Sequence, residues 1–286
     1  MKTLFSECGD HCYREFSSPS EVTDYIRGNN PVRSWGSSHK THASEFYGTK
    51  TFEEGLALFN RGCPDLVPKI KSESLTLAGE ISKRNPCPDA AFDVQGQIID
   101  MGRYLRGEPD CCLRLEKENS GQSRCCSLVV SGGFLADASA PQIEMRGIVA
   151  CSLAYLLESR GISTEINVVL PNNSYKYINI GVKIKEFGQP FMLSQIAFVL
   201  CHRSFFRRIG FALIESMPEG FYDSNHATQK LLTMPSFFRD VLPKNMLYIG
   251  GIKELNSEGI DLTNRASVKT WIEKQYQSKV VRLNHV

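Results

Sequence analysis

The distribution of apolar and polar positions between residues 125 and 185 predicts a strand, a long helix and two further strands. Cys125–Val130 is an apolar run of strand length that ends in the small residues Ser131-Gly132-Gly133. Apolar positions then recur at helical spacing from about Pro141 to Ser159, and Thr164–Leu170 and Tyr177–Lys185 have the character of strands. This order is typical of an α/β protein with an open, mostly parallel sheet.

The same domain is predicted to continue toward the C-terminus. Leu193–Leu200 and Ser204–Ile214 carry apolar residues at helical spacing, and so does Ser267–Gln277. Asn245–Ile249 has the pattern of a buried strand, and Gly250-Gly251 ends it.

Residues 1–95 are predicted to form an N-terminal region of mixed, mainly helical character. Thr51 is a suitable N-cap for a helix that Gly62 ends, and a second helix is predicted over Leu66–Ile81.

A β-hairpin is predicted between this region and the sheet. Cys112–Glu116 and Arg124–Val130 flank Asn119-Ser120-Gly121, which is a turn signal. The hairpin and the α/β sheet are therefore assigned to one domain, residues 96–286.

Composition and charge exclude few functions. Of the 286 residues, 42% are hydrophobic and 22% are charged, and the net charge of +2 gives no overall attraction to nucleic acid or to anionic membranes. No apolar run is long enough to span a bilayer and the N-terminus lacks a signal-peptide core, so we expect no membrane contact and a cytoplasmic location. In that compartment we expect the ten cysteines to be mostly reduced.

From Arg124 to the C-terminus, the element order resembles a von Willebrand factor A-type domain. In that family the second strand turns back into an antiparallel edge strand, so the resemblance implies A-type sheet topology. The family's metal site needs an Asp-x-Ser-x-Ser loop after the first strand, because a hard cation requires oxygen ligands. Here that loop is Ser131-Gly132-Gly133-Phe134-Leu135, and Gly250-Gly251-Ile252 follows the later strand without a carboxylate. We therefore expect no metal site and no cofactor.

The wider chain resembles an uncharacterised family found in bacteriophages and bacteria. The segments that carry this resemblance are Tyr47-Gly48-Thr49, Phe52–Leu56, Gly62-Cys63-Pro64, Asp93–Gly96, Arg103–Pro109, Phe198–His202 and Arg207–Phe211. The resemblance implies a phage or mobile-element origin, hence a host cytoplasm, and no established activity.

Two groups of small residues are candidate ligand loops at the sheet edge. Ligands of open α/β sheets bind beyond the carboxyl ends of the strands, which is where Ser131, Gly132, Gly133, Gly250 and Gly251 are expected. Exposed main-chain N–H groups would bind a phosphate there. The alternative is a tight turn that needs small residues, because neither a G-x-G-x-x-G motif nor a P-loop is present.

One compact basic cluster contains His202, Arg203, Arg207 and Arg208. Because phenylalanines lie between these residues, the cluster is a candidate surface for single-stranded nucleic acid. The alternative is structural: the phenylalanines line the core, and Arg208 packs its stem and pairs with a carboxylate inside the domain.

No catalytic residue is predicted, since neither G-x-S-x-G nor H-E-x-x-H occurs. The leading prediction is a non-enzymatic protein-binding or assembly module, encoded by a phage, with a phage or host protein as partner. The alternatives are a nucleic-acid-binding protein of phage replication or transcription, and an unrecognised enzyme. The oligomeric state does not follow from the sequence.

Overall fold

The computed structural model describes residues 1–5, 11–29, 37–41, 44–84, 90–94, 98–99, 103–104, 106–115, 125–173, 177–216 and 245–284. The strands are β1 (Lys2–Phe5), β2 (His11–Phe16), β3 (Ala90–Asp93), β4 (Ile98–Ile99), β5 (Cys112–Leu115), β6 (Cys125–Ser131), β7 (Ser163–Asn173), β8 (Tyr177–Lys185) and β9 (Met246–Ile249). The α-helices are α1 (Pro19–Asn29), α2 (Ser44–Tyr47), α3 (Phe52–Arg61), α4 (Val67–Arg84), α5 (Ala140–Glu158), α6 (Leu193–Cys201), α7 (Phe211–Glu215), α8 (Ile252–Ser257) and α9 (Arg265–Asn284). Ser37–His39 and Pro64–Leu66 form short 3₁₀ helices, and Phe205–Gly210 forms a π-helical segment.

The main sheet has six strands in the order β1-β2-β8-β7-β6-β9. The pairings β2–β8, β6–β7 and β6–β9 are parallel, and β1–β2 and β7–β8 are antiparallel. The prediction of an α/β protein with a mostly parallel sheet is confirmed at this level.

The position of β8 differs from what the A-domain resemblance implied. That resemblance makes β8 an edge strand, but β2 pairs with it over His11–Phe16 and Tyr177–Val182. The hydrogen-bonding groups on the outer side of β8 are therefore used by the N-terminal part of the chain. Lys185, the last residue of β8, is only 3% exposed and forms an ion pair with Glu158.

The predicted β-hairpin is wrong. β5 belongs to a separate three-stranded sheet in the order β3-β5-β4, and both of its pairings are antiparallel. Both sides of β6 are taken by the parallel strands β7 and β9, so β5 has no free side of β6 to pair with. The predicted turn at Asn119-Ser120-Gly121 lies outside the described residues.

The first 95 residues contribute both strands and helices. β1 and β2 extend the main sheet, while α4 packs against α5. α3 begins after Thr51, whose hydroxyl accepts the Glu54 N–H at 3.1 Å, and ends at Gly62, as predicted. Within this helix Phe52, Leu56 and Phe59 are buried. The domain boundary at residue 95 stays a prediction.

Helix α5 lies between the sheet and the other helices. Ser139 and Gln142 form a capping box at its start, and Ile143 and the run from Arg146 to Ala154 are buried. α4, α6 and α9 pack against it, so its apolar surface extends almost all the way round.

The predicted helix over Ser204–Ile214 forms as two parts, the π-helical segment and α7. Eight cysteines among the described residues are outside any disulfide bond, including Cys112 and Cys125. In the part of the chain that the structure describes, none of the helices is both long and apolar enough to cross a membrane.

Candidate functional site

The π-helical segment carries Arg207 and Arg208, and both side chains are buried, with exposed fractions of 2% and 0%. π-helical turns occur frequently at functional sites. Both guanidinium groups point into the protein, where they bind main-chain carbonyl oxygens of distant segments.

Arg208 donates hydrogen bonds to main-chain oxygens in the segment from Ser38 to Lys50. Its Nη1 donates to Ser38 O and Lys40 O, each at 2.6 Å, and its Nη2 donates to Thr49 O at 2.8 Å and Lys50 O at 3.3 Å. Its stem packs on α3, since a Cβ added to Gly55 would lie 3.1 Å from Arg208 Cβ. The packed stem fits the structural alternative, but the acceptors are carbonyls rather than the expected carboxylate.

Arg207 joins α2 to the loop that follows β6. It donates to Phe46 O, to Leu135 O at 3.3 Å and to Ala136 O at 3.0 Å. Its guanidinium carbon lies 3.8 Å from the ring centroid of Phe46 and 5.0 Å from that of Phe134. Burial, and to a smaller extent the neighbouring charge of Arg203, lower the pKa of Arg207 to about 10. The phosphate contacts proposed for Arg207 and Arg208 would require these internal bonds to break; nucleic-acid binding itself stays a prediction.

His202 and Arg203, the other two members of the cluster, line an open cleft of about 750 Å³. The cleft lies between the α2–α3 segment, the start of α5 and the end of α6. The lining residues with a charged or imidazole side chain are Glu45, Lys50, Glu54, Glu144, His202 and Arg203. The cleft thus combines three carboxylates with two cations and one imidazole.

His202 is held in a defined orientation. Its Nδ1 accepts the Ser204 N–H at 3.2 Å, and its ring stacks on Phe198 with a centroid separation of 5.3 Å. Burial lowers the pKa of His202, Arg203 lowers it further, and Glu144 and Glu54 partly offset this. In the neutral ring, therefore, Nδ1 is the acceptor and Nε2 carries the proton.

The loop after β6 is held by internal bonds. Gly132 N–H donates to Val169 O at 2.8 Å, and Gly133 O accepts from Arg146 Nη1 at 3.0 Å. Arg146 is 1% exposed, and its burial lowers its pKa to about 10. Among the described residues, Arg146 Nε and the buried Ser131 Oγ have no hydrogen-bond partner.

The loop after β9 already has an internal anion. Gly251 N–H donates to Glu254 Oε2 at 2.6 Å, and Tyr248 OH donates to the same oxygen at 3.0 Å. Gly250 precedes this contact, and a Cβ added there would lie 2.9 Å from Glu254 Cβ. Glu254 therefore occupies the place that a ligand anion would take at Gly250-Gly251. Within the described residues, no group of three or more His, Cys, Asp or Glu side chains is placed to hold a metal ion.

Sequence reasoning missed the contribution of residues 38–54 to the site. Lys50 and Glu54 lie at the start of α3 and Glu144 lies on α5, and only the fold brings both groups to His202. Ser38 is a second example: its Oγ donates to Glu215 Oε2 at 2.5 Å and its N–H donates to Glu215 Oε1 at 3.1 Å, 177 positions apart in sequence. The one local signal was Thr51 with Glu54, whose spacing marks the helix start beside the cleft.

Comparison with curated proteins and with solved structures found no match. One family profile, described as "Domain of unknown function (DUF7192)", matches residues 4–242. This range includes every residue of the cleft and ends before β9. It confirms the expectation of an uncharacterised family: the chain belongs to the DUF7192 family.

Proposed function

We propose that this chain is a non-enzymatic binding module that recognises a partner protein through the cleft at His202 and Arg203. The observation that carries the proposal is the lining of the cleft, which is open and carries charged side chains of both signs. Small-molecule sites are mostly enclosed and hold few charged groups, whereas open surfaces with charged side chains are common at the rims of protein interfaces.

The chemistry of the cleft supports binding rather than catalysis. His202 Nδ1 is taken by the Ser204 N–H, so neutral His202 presents a donor and not a general base. The adjacent thiol of Cys201 is 3% exposed, and burial raises its pKa well above the ordinary value, which disfavours the nucleophilic thiolate.

The nucleic-acid alternative has less support. Arg207 and Arg208 are committed to internal carbonyls, which leaves Arg203 and Lys50 as the cations that line the cleft. Three glutamates lie beside them, and these would repel the successive phosphates of a nucleic acid.

We also propose that the chain is encoded by a phage, acts in the host cytoplasm and is related to von Willebrand factor A-type domains. The order β8-β7-β6-β9 supports the kinship, because it reproduces an antiparallel strand followed by three parallel ones. The additional strands β1 and β2 count against it.

Site-specific photocrosslinking tests the proposed function. A photoreactive residue at Lys50, in the cleft, is compared with one at Lys274, an exposed position on α9, in the cells that produce the chain. We expect a discrete protein adduct from position 50 and none from position 274. Equal labelling from both positions, or binding of the purified adduct partner that Ser44→Trp does not weaken, would refute the proposal.

The steric variant Ser44→Trp fills the rim of the cleft, and Ser278→Trp is its matched control. Both serines are exposed, and Ser278 lies on α9, outside the cleft lining. A partner of the cleft loses affinity with the first substitution and keeps it with the second.

A further inference from the structure

Two of the three cleft glutamates already have partners inside the chain. Glu144 forms an ion pair with Lys69. Glu54 Oε2 accepts the main-chain N–H of Lys50 at 2.8 Å, at the start of α3 where a negative charge is stabilised by the helix dipole. These two carboxylates are therefore partly compensated before any ligand arrives.

The cations and hydrogen-bond donors that line the cleft use a smaller share of their bonding capacity inside the chain than these two glutamates do. Arg203 donates from Nη1 to Glu45 O at 2.6 Å, and a guanidinium group has five N–H donors in all. Within the described residues, no carboxylate lies within ion-pair distance of the Lys50 ammonium group, which is exposed. Neutral His202 adds the Nε2 proton, because the Ser204 N–H occupies Nδ1.

Two helix N-termini lie beside the cations of the cleft. Lys50 directly precedes Thr51, the N-cap of α3, and Ala140 is the first residue of α5. Both line the cleft, so the positive ends of two helix dipoles add to Arg203 and Lys50, and the negative end of α6 at Cys201 offsets part of this.

We propose that the cleft recognises a single carboxylate side chain of the partner protein, with Arg203 and Lys50 as its counter-charges and His202 Nε2–H as a hydrogen-bond donor. This inference rests on the proposed function and specifies the chemistry of its partner. The mixed lining fits an aspartate or glutamate flanked by neutral or basic residues, since the flanking residues then face Glu45, Glu54 and Glu144.

A yeast-displayed library of random peptides, selected on the purified full chain, tests the inference. We expect the enriched peptides to share an aspartate or glutamate. Replacing that residue by its amide, or introducing Lys50→Glu into the chain, should weaken binding about tenfold, as expected for loss of a close interfacial charge pair. The matched control Lys274→Glu reverses an exposed charge on α9 and should leave affinity unchanged.

The outcomes separate the inference from the proposed function. If Ser44→Trp abolishes binding while Lys50→Glu and the amide peptide bind normally, the cleft binds a partner but the carboxylate inference is overturned. A selection that enriches no acidic peptide overturns it as well. If Ser44→Trp binds the enriched peptides as well as Ser278→Trp does, they bind elsewhere and the proposed function falls together with the inference.

Discussion

Arg208 binds Thr49 twice, from Nη2 to the main-chain oxygen at 2.8 Å and from Nε to Oγ1 at 3.3 Å. The two residues are 159 positions apart in sequence. Because Gly48, Thr49 and Lys50 all line the cleft, one buried guanidinium group fixes a whole wall of it. The geometry of the candidate site therefore depends on a side chain that does not itself line the cleft.

Arg208→Ala should strongly destabilise the fold. The substitution leaves the buried Ser38 O and Thr49 O without their charged donor, and each unsatisfied group costs roughly 1–3 kcal/mol, so we expect a loss of about 3 kcal/mol. Urea denaturation followed by circular dichroism measures it. The exposed Arg27→Ala on α1 is the control and should change the free energy of unfolding by no more than about 0.5 kcal/mol. Equal effects of the two substitutions would contradict the structural role of Arg208.

The sequence predicts structural features that depend on residues close together in the chain. It does not predict the contacts of Arg208, because these join residues that are far apart in the chain. Gly62 was recognised as the end of α3 because the signal is local, and Cys125–Val130 was recognised as a buried strand because its apolar run is continuous. The partners of Arg208 lie in segments that the sequence describes only as a polar loop and a helix start. Likewise, the pairing of Cys112–Leu115 with β3 and β4 depends on strand neighbours that no local turn signal specifies.

Gly62→Ala and Gly79→Ala should change stability in opposite directions. Gly62 has φ of +84°, and an added Cβ would lie 2.7 Å from the main-chain carbon of Ser194, so strain and a backbone clash together should cost more than about 1–2 kcal/mol. Gly79 lies within α4 with open space around it, and alanine there should stabilise by about 0.5–1 kcal/mol. Thermal or urea unfolding of both variants checks the signs; a stabilising Gly62→Ala would refute the assigned backbone conformation.

Lys185→Met should be much more destabilising than Lys183→Met. Lys185 is 3% exposed, and its ammonium group donates to Thr164 O at 2.7 Å and pairs with Glu158 at 2.8 Å. Loss of hydrogen bonds from a charged group costs about 1.5–3 kcal/mol. Lys183 is more exposed, with carboxylates at 3.8 Å, and such pairs contribute about 0–1 kcal/mol. Denaturation midpoints of the two variants measure the contrast, and equal midpoints would mean that Lys185 is not buried as described.

Mg²⁺ and Ca²⁺ should not stabilise the protein at the carboxyl edge of the sheet. Ser131-Gly132-Gly133 supplies no carboxylate, Arg146 places a buried positive charge against Gly133 O, and Glu254 is engaged by Gly251 and Tyr248. A hard cation needs several oxygen ligands that are free to coordinate it. Thermal unfolding with each ion and with EDTA should give one midpoint; saturable stabilisation by either ion would overturn this expectation.

Stability should fall on acidification in a way that depends on His202. Its pKa in the folded chain is lowered from the ordinary 6.5, first by burial and then by Arg203. Between the folded and the unfolded pKa, the unfolded chain binds more protons, so the free energy of unfolding rises with pH in that window. The contribution of neutral His202 is therefore complete above pH 6.5 and is lost as the pH falls toward the lowered folded pKa.

The substitution His202→Asn tests this prediction, because it keeps an acceptor for the Ser204 N–H but removes the titration. We expect the stability difference between wild type and His202→Asn to be larger at about pH 7.5 than at about pH 5, measured as urea midpoints at each pH. Burial also lowers the pKa of His39. This residue is present in both proteins, so its contribution to the pH dependence cancels in the difference. A difference that stays constant across this range would show that His202 titrates alike in the folded and unfolded chains.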